Sequence, residues 1–275
     1  MAQKVWMITG ASRGFGAEIA KAVLAAGDKV IASARKVEGL DHLGDGENLF
    51  KVALDVTNEE QVIKAVNSAV KKVGRIDVLV NNAGYGLLGA VEESSAKEIE
   101  NLYRTNVFGL LNVTRAVLPT MRKQRSGHII NMSSVGGYAS GPGFGIYCST
   151  KFAVEGIGEA LSAELAPLGI HATIVEPGYF RTDFLDSSSL DTTKERIADY
   201  EETVGRLRAV AAEKNHQQPG DPKKLAKALI QLVNFPDPPV RLPLGTDSLA
   251  RIAEKNAFVE RETAKWRTLS ASTDF

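Results

Sequence analysis

The sequence predicts an α/β fold in which a doubly wound sheet of about seven mainly parallel strands carries helices on both faces. Short apolar runs alternate with helix-like patterns along the first half of the chain. The run at residues 76–80 is apolar almost throughout, which is typical of a strand covered on both faces. With 275 residues, 44% of them hydrophobic, we expect one domain that spans residues 1–275.

The composition excludes several classes of protein. Lys plus Arg and Asp plus Glu both total 33, so no basic excess favours nucleic acid as a partner. Cys148 is the only cysteine, which excludes an intramolecular disulfide and a cysteine-based metal cluster and favours a reducing compartment. The sequence has no apolar signal region, and no run approaches the roughly 20 apolar residues of a membrane span. We therefore expect a cytoplasmic protein without a membrane span.

The first strand, residues 5–8, leads into a glycine-rich turn at residues 9–16 and then into a helix. Gly10, Gly14 and Gly16 allow a sharp turn and a close approach to a ligand, and the N-terminus of the helix offers N–H groups to a phosphate. Their spacing, G-x-x-x-G-x-G, differs from the common dinucleotide pattern G-x-G-x-x-G. Taken alone, the turn fits either an anionic cofactor or a glycine turn that serves geometry only.

The second strand, residues 29–33, is followed by Ala34 and Arg35, without a carboxylate. In dinucleotide-binding sheets an Asp or Glu at this point binds the ribose 2′-OH of NAD, whereas an Arg accommodates the 2′-phosphate of NADP. Arg35 and the turn residue Arg13 therefore favour NADP(H) on electrostatic grounds. The alternative is that both arginines are solvated surface charges.

The next two strands also end in polar side chains. The third, residues 50–54, is followed by Asp55 and by a capping box predicted at Thr57 and Glu60, where a helix begins. The fourth ends in the sequence Asn-Asn-Ala-Gly at residues 81–84. Small residues and side-chain amides at this end of a parallel strand suit the crevice where such sheets bind ligands.

A further helix is predicted to open at Ser95 and to run through Asn106. An Asn on a mostly apolar helix face either bonds a neighbouring carbonyl or marks a distortion that holds water near a site. The fifth strand, residues 127–132, ends in Ser133 and Ser134, so hydroxyls are also expected at the carboxyl edge of the sheet.

The helix that begins around Tyr147 carries a possible proton donor. Tyr147 and Lys151 are four residues apart and therefore lie on one face of a helix. The unperturbed pKa of tyrosine is about 10, and a nearby ammonium stabilises the phenolate, so the pair is predicted to exchange a proton nearer neutral pH. Exposed helices produce this spacing by chance, but of the six tyrosines only Tyr147 has it.

The last third of the chain completes the sheet and adds two segments. Strands are predicted at residues 171–175 and 240–244, and Asp221 caps a helix whose first residue is proline. The polar segment 181–219 is either a lid over the substrate or a plain surface insertion. Residues 246–275 are predicted to form a charged, amphipathic helical extension that either covers the substrate cleft or alters a subunit interface.

Together these motifs resemble those of the short-chain dehydrogenase/reductase family over nearly the whole chain, which implies a Rossmann-like fold. The resemblance implies a catalytic tetrad of Asn106, Ser134, Tyr147 and Lys151. Ser134 is preferred to Ser133 because the second of two adjacent serines usually serves in this family. The implied contacts with the dinucleotide are Gly10, Ser12, Arg13, Gly14, Phe15, Gly16, Arg35, Asp55, Val56, Asn82, Ala83, Gly84, Tyr147, Lys151, Pro177, Gly178 and Thr182.

By the same resemblance, a hydride passes between the nicotinamide and a carbonyl carbon while Tyr147 passes a proton to the oxygen. Ser134 would bind that oxygen, Lys151 would lower the tyrosine pKa and hold the nicotinamide ribose, and Asn106 would anchor a water in the proton relay. The four histidines show no ligand spacing, so we expect no catalytic metal. These expectations describe an NADPH-dependent reductase that reversibly converts a ketone or aldehyde to an alcohol.

Two other functions stay open at this point. One is an NADP-dependent dehydrogenase of hydroxysteroids, retinoids or similar bulky alcohols, and the other is a non-catalytic NADP-binding regulatory protein. A small hydrophobic carbonyl or alcohol substrate is expected to contact residues 85–88 and 141–144, Tyr179 and the lid. Family members commonly pair through the helices that here contain Asn106 and Tyr147, so a homodimer or homotetramer is expected.

Overall fold

The structure is a computed structural model that describes residues 3–213 and 215–275. At its centre lies a sheet of seven parallel strands. In chain order the strands are β1 (Val5–Ile8), β2 (Lys29–Ala34), β3 (Leu49–Ala53), β4 (Val78–Asn81), β5 (Gly86–Leu88), β6 (Gly127–Met132), β7 (Ile170–Pro177), β8 (Leu190–Thr192) and β9 (Arg241–Leu244). The order across the sheet is β3-β2-β1-β4-β6-β7-β9, while β5 and β8 form a separate parallel pair. This architecture confirms the predicted fold class.

Eight α-helices connect and cover the strands of the described chain. They are α1 (Gly14–Ala25), α2 (Glu59–Val73), α3 (Ala96–Tyr103), α4 (Leu110–Gln124), α5 (Gly145–Leu165), α6 (Arg206–Glu213), α7 (Pro222–Leu232) and α8 (Thr246–Ala271). The seven strands predicted from the sequence are all confirmed, with ends that differ by at most two residues. In the described residues, no helix combines the length and the apolarity needed to cross a membrane.

Alternation along β1 shows why both faces of the sheet are covered. Successive side chains of a strand point to opposite faces. Trp6 and Ile8 pack with apolar residues of α1 and α7, whereas Val5 and Met7 pack with residues of α2, α4 and α5. All four β1 side chains are buried, so a sheet with one solvated face would expose two of them.

The helix predicted to run through Asn106 is interrupted. Ser95 and Glu98 form the capping box at the start of α3, with each side chain bonded to the main-chain N–H of the other residue. A π-helical turn, Arg104–Gly109, then separates α3 from α4 and contains Asn106. The distortion considered for Asn106 is therefore confirmed.

The capping box predicted at Thr57 and Glu60 is wrong. The residue that caps α2 is Asn58, whose side-chain oxygen accepts a hydrogen bond from the Gln61 N–H at 3.0 Å. The Thr57 hydroxyl instead donates to Asp55 at 2.8 Å. Thr57 and Asn58 are both residue types that can cap a helix. Because the Thr57 hydroxyl is bonded to the Asp55 carboxylate, Asn58 serves as the cap.

Residues 181–219 fold back onto the body of the protein. Within this segment, β8 pairs with β5, and the buried carboxylate of Glu93 accepts hydrogen bonds from the Ile197 N–H at 2.9 Å and from Arg208. The helical extension predicted at residues 246–275 is present as α8, which packs against the body through its first turns. From residue 256 onward every position of the chain is exposed.

Candidate active site

A cleft of about 600 Å³ lies at the carboxyl ends of the parallel strands. It lies at the point where the strand order reverses between β1 and β4, which is where open α/β sheets bind ligands. Fourteen of the predicted cofactor contacts line it: Gly10, Ser12, Arg13, Gly14, Phe15, Arg35, Asp55, Val56, Asn82, Ala83, Gly84, Tyr147, Lys151 and Thr182.

The glycine turn is shaped by contacts that leave no room for side chains. Gly10 has a φ of +66° and Gly14 a φ of +54°, which L residues rarely adopt. A Cβ at Gly16 would lie 2.3 Å from the Gly10 carbonyl oxygen. Gly16 is absent from the residues that line the cleft in the described structure, and it serves instead to bring α1 close to the turn. The Asn82 side chain secures the turn by donating to the carbonyls of Thr9 at 2.9 Å and Gly10 at 3.1 Å.

The first turn of α1 faces the cleft in a state suited to an anion. Arg13 is its N-cap, and no side chain in the described part of the chain caps the helix or places a carboxylate in its first turn. Its N–H groups and the positive end of the helix dipole therefore fit a phosphate. The Arg13 side chain crosses the cleft and donates to Ser189 Oγ at 2.9 Å and to the Ser188 carbonyl. Arg35 lines the same cleft at the end of β2, so the residues present fit a dinucleotide.

Tyr147 and Lys151 lie on one face of α5, where both are buried. Lys151 Nζ lies 5.8 Å from the centre of the Tyr147 ring and donates to the Met132 carbonyl at 2.8 Å. A Cβ at Gly84 would lie 3.0 Å from Asn106 Oδ1 and 3.8 Å from Lys151 Nζ. The absence of a side chain at Gly84 therefore lets the end of β4 approach both of these predicted catalytic residues.

The electrostatics of the pair differ from the sequence expectation. Burial raises the pKa of Tyr147, and the hydrogen bond with Ser134 opposes this effect. Burial lowers the pKa of Lys151 to about 8, although the charge of Glu155 raises it. Lys151 is not among the groups that shift the Tyr147 pKa, and burial is the largest cause, so the lowering that we expected from Lys151 is wrong. The raised pKa favours the neutral phenol of Tyr147, which is the form that can donate a proton.

The two adjacent serines after β6 have different surroundings. The Ser133 hydroxyl donates to the buried carboxylate of Glu155. Ser134 Oγ accepts a hydrogen bond from the Gly136 N–H at 3.0 Å and lies in the wall of a second cavity. Both serines line the second cavity, but the Ser133 hydroxyl is already bonded to Glu155, which favours Ser134 as the serine that contacts a substrate oxygen.

Asn106 joins three parts of the site. Its Nδ2 donates to the Tyr85 carbonyl at 2.9 Å and to Thr150 Oγ1 at 3.1 Å, and its Oδ1 accepts from the Tyr85 N–H at 3.1 Å. The side chain therefore ties the π turn to the loop after β4 and to α5. These protein groups occupy the side-chain amide, and the role of Asn106 as a water anchor stays a prediction.

The second cavity, of about 730 Å³, adjoins the cleft at Tyr147, which lines both. Pro177 and Gly178 line this second cavity and not the cleft. Its wall includes residues 139–142, Phe144 and Tyr179. Residues 85–88, which were also expected to contact the substrate, do not line this cavity. Of the two roles left open for the extension 246–275, this wall supports the one beside the substrate cleft, because the first turns of α8 contribute Asp247, Ala250, Arg251 and Glu254.

One group of possible metal ligands occurs in the described residues, at Asp183, Asp186 and His216. Asp186 Oδ1 lies 3.3 Å from His216 Nε2 and accepts a hydrogen bond from Asn215. Both contacts are made by the same carboxylate oxygen, Asp186 Oδ1.

A sequence profile described as short chain dehydrogenase matches residues 4–193, which include every predicted tetrad and cofactor residue. The chain belongs to the short-chain dehydrogenase/reductase family. It is 40% identical over 274 residues to the oxidoreductase BOA17 of Botryotinia fuckeliana, covering 98% of this chain and 99% of the relative. It is 39% identical over 248 residues to a 3-ketodihydrosphingosine reductase of Bacteroides thetaiotaomicron, covering 89% of each chain.

Solved structures of the short-chain dehydrogenase/reductase family have the same fold. A short-chain dehydrogenase from Streptomyces avermitilis superposes with a TM-score of 0.93 at 41% identity and covers 99% of each chain. ElxO with NADP bound superposes with a TM-score of 0.75 at 30% identity, covering 90% of this chain and all of ElxO. The helix α8, whose first turns line the second cavity, lies beyond the residues that the family profile matches.

Proposed function

We propose that this oxidoreductase uses NADPH to reduce a ketone or aldehyde reversibly to the alcohol. The observation that carries the proposal is the position of Tyr147, whose side chain lies between the cofactor cleft and the second cavity. A proton donor at this junction can reach a substrate in one cavity while a cofactor occupies the other. A buried tyrosine, a buried lysine and the half-buried Ser134 around one point are suited to a carbonyl that gains negative charge as it reacts.

The chain's own residues perform the proton chemistry in this proposal. Tyr147, kept neutral by burial, donates its phenolic proton to the substrate oxygen, and the Ser134 hydroxyl donates a hydrogen bond to the same oxygen. The Lys151 ammonium then stabilises the phenolate that remains. A reduced nicotinamide dinucleotide bound in the cleft supplies the hydride. In the direction of alcohol oxidation, the phenolate of Tyr147 accepts the proton.

Preference for NADPH over NADH is supported by Arg13 and Arg35, which line the cleft where β2 ends without a carboxylate. Among the structural relatives, ElxO holds NADP, whereas a 3-ketoacyl-(acyl-carrier-protein) reductase from Brucella melitensis is complexed with NADH. We expect Arg35→Ala to weaken NADPH binding roughly 10- to 150-fold, as for the loss of one charged hydrogen bond, and to leave NADH binding little changed. Fluorescence titration measures both affinities, with Arg115→Ala as the control because Arg115 pairs with Glu59 outside the cleft.

The substrate is proposed to be a hydrophobic carbonyl compound. The second cavity presents Phe144, Phe184, Leu185 and Leu207 beside Tyr147. The Bacteroides relative is named as a reductase of 3-ketodihydrosphingosine, which supports a ketone with a large apolar part. The size of the cavity, about 730 Å³, also favours a second candidate, the NADP-dependent oxidation of a bulky hydroxysteroid-like or retinoid-like alcohol.

A panel of ketones and alcohols, followed by the absorbance of the reduced cofactor, tests both candidates. We expect Tyr147→Phe to lower kcat by about 10²- to 10⁴-fold while the affinity for NADPH stays unchanged. Tyr103→Phe is the matched control, because that tyrosine bonds to Ser149 on α5 at 2.9 Å and lines neither cavity. Near-normal turnover by Tyr147→Phe would refute the assigned proton donor, and a wild-type protein that binds NADPH but converts no member of the panel would favour a regulatory role.

A further inference from the structure

The face of α5 that carries Tyr147 and Lys151 continues one turn further to a third buried polar residue. Glu155 is only 4% exposed and stands four residues after Lys151. Both of its carboxylate oxygens are bonded: the Ser133 hydroxyl donates to Oε1, and Arg241 Nη1 donates to Oε2. A buried carboxylate with such partners is costly to build, so its place behind the tetrad calls for a physical explanation.

Glu155 belongs to a cluster in which two buried carboxylates share one guanidinium. Arg241, on β9, also donates from Nη1 to Glu176 on β7 at 2.7 Å and from Nη2 to Glu159 at 2.8 Å. Glu176 is 1% exposed, whereas the Glu159 side chain is 58% exposed. Burial and the neighbouring Glu176 raise the pKa of Glu155 to about 7, and the Ser133 hydroxyl and Arg241 oppose that rise.

Two contacts connect this cluster to the site of reaction. Ser133 lines both cavities and directly precedes Ser134 in the chain. A Cβ at Gly137 would lie 2.5 Å from Ser133 Oγ and 2.9 Å from Glu155 Oε1, so the turn after Ser134 packs directly on this hydrogen bond. The second connection is electrostatic and not a hydrogen bond. The charge of Glu155, four residues after Lys151 on α5, raises the pKa of Lys151 against the effect of burial.

We propose that Glu155 is a positioning residue for the reaction: it holds Ser133 so that Ser134 faces the substrate, and its carboxylate keeps the neighbouring Lys151 protonated. The proposal rests on the proposed function for the role of Ser134 and Lys151 in turnover. The charged and titratable groups that face Glu155 are Lys151 and Glu159 on α5, Glu176 on β7 and Arg241 on β9. None of the motifs used to recognise the tetrad includes this residue.

The substitution that tests the proposal is Glu155→Gln, which removes the charge and keeps a side chain of the same shape. Arg241 retains Glu176 and Glu159 as partners, so the fold is expected to survive. We expect the alkaline limb of the kcat profile to move to lower pH by about one unit, because Lys151 loses the charge that favours its ammonium form. Glu159→Gln is the matched control, since it removes a carboxylate from the same helix and the same arginine on the exposed side.

A second measurement does not depend on turnover. The Lys151 pKa is measured by NMR on lysine labelled at the ε-carbon, with Lys151→Met to assign the signal. We expect Glu155→Gln to lower that pKa by about one unit and Glu159→Gln to leave it unchanged. If Glu155→Gln unfolds, Glu155→Asp takes its place, and Ser133→Ala is expected to lower kcat without moving the Lys151 pKa.

An unchanged Lys151 pKa in Glu155→Gln would overturn the proposal, as would equal shifts in Glu155→Gln and Glu159→Gln. An unchanged kcat in Ser133→Ala would overturn the part of the proposal that concerns Ser134. A wild-type protein that converts no carbonyl substrate would contradict the proposed function, and the NMR titration would still decide whether Glu155 controls the charge of Lys151.

Discussion

Lys151→Met is expected to change how the stability of the folded protein depends on pH. The side chain is buried, and burial lowers the pKa of its ammonium from the ordinary 10.5 to about 8. At about 1.4 kcal/mol per pH unit, this difference means that the buried charge lowers the free energy of unfolding by about 3 kcal/mol at neutral pH. Methionine has a similar length and carries no charge, so it removes this cost.

The sign of the pH dependence follows from which state binds the proton. Below pH 8 both states carry the proton, and the full cost applies. Between pH 8 and 10.5 the unfolded chain binds more protons than the folded protein, so the stability of wild type rises with pH. The stability of wild type relative to Lys151→Met should therefore increase by about 3 kcal/mol across this range.

Urea unfolding without cofactor, at a series of pH values from neutral to alkaline, measures this difference. Lys64→Met is the matched control, because that lysine is on α2 with 81% of its side chain exposed, and we expect no comparable pH-dependent difference. The reasoning would be refuted if the stability deficit of wild type relative to Lys151→Met stayed constant or grew as the pH rises, since the folded protein would then not depress the Lys151 pKa.

Two other substitutions test separate features. Gly16→Ala would place a Cβ 2.3 Å from the Gly10 carbonyl oxygen, so we expect thermal unfolding to show a loss of roughly 1–3 kcal/mol and NADPH binding to weaken. Gly156→Ala meets no atom within 4 Å and should cause neither effect. Phe152, on α5, is 45% exposed. If subunits pair through this helix, as we propose, Phe152→Asp should give monomers in light scattering. Phe235, after α7, is 61% exposed, and Phe235→Asp should keep the wild-type mass. An unchanged mass for Phe152→Asp would contradict the pairing.

Much of the fold could be predicted from local sequence patterns. Strands buried on both faces leave near-continuous apolar runs, and the alternation of strands with helices determines that the sheet is parallel. The choice between Thr57 and Asn58 as the cap of α2 could not be made in this way. Residue preference favours Asn58 and the capping-box pattern favours Thr57, and the hydrogen bond from the Thr57 hydroxyl to Asp55 leaves Asn58 as the cap.

The candidate site was predictable where its residues follow strand ends or helix starts, and less so elsewhere. Ser134, Tyr147 and Lys151 were found because they combine reactive groups with a recognisable position in the chain. The sequence offered a place beside the cleft as one of two roles for α8, but it could not single out Asp247 and Arg251, because they carry no chemical motif and only the packing of the helix start shows where they lie. Glu155 was missed because its partners, Ser133 and Arg241, come from distant parts of the sequence.

The topology of the sheet explains why few residues can reach the place where the two cavities meet. In a parallel sheet, only the carboxyl ends of strands and the first turns of the following helices reach the ligand edge. Ser134 follows β6, and Tyr147 stands in the first turn of α5, so both reach the edge by their place in the chain. Asn106 lies far along a helical segment, and it reaches the site only because the loop after β4 folds back against it and bonds to its amide. The π turn places a break in the regular helix at the point where Asn106 meets this loop and Thr150 of α5, and π turns of this kind are frequent at functional sites.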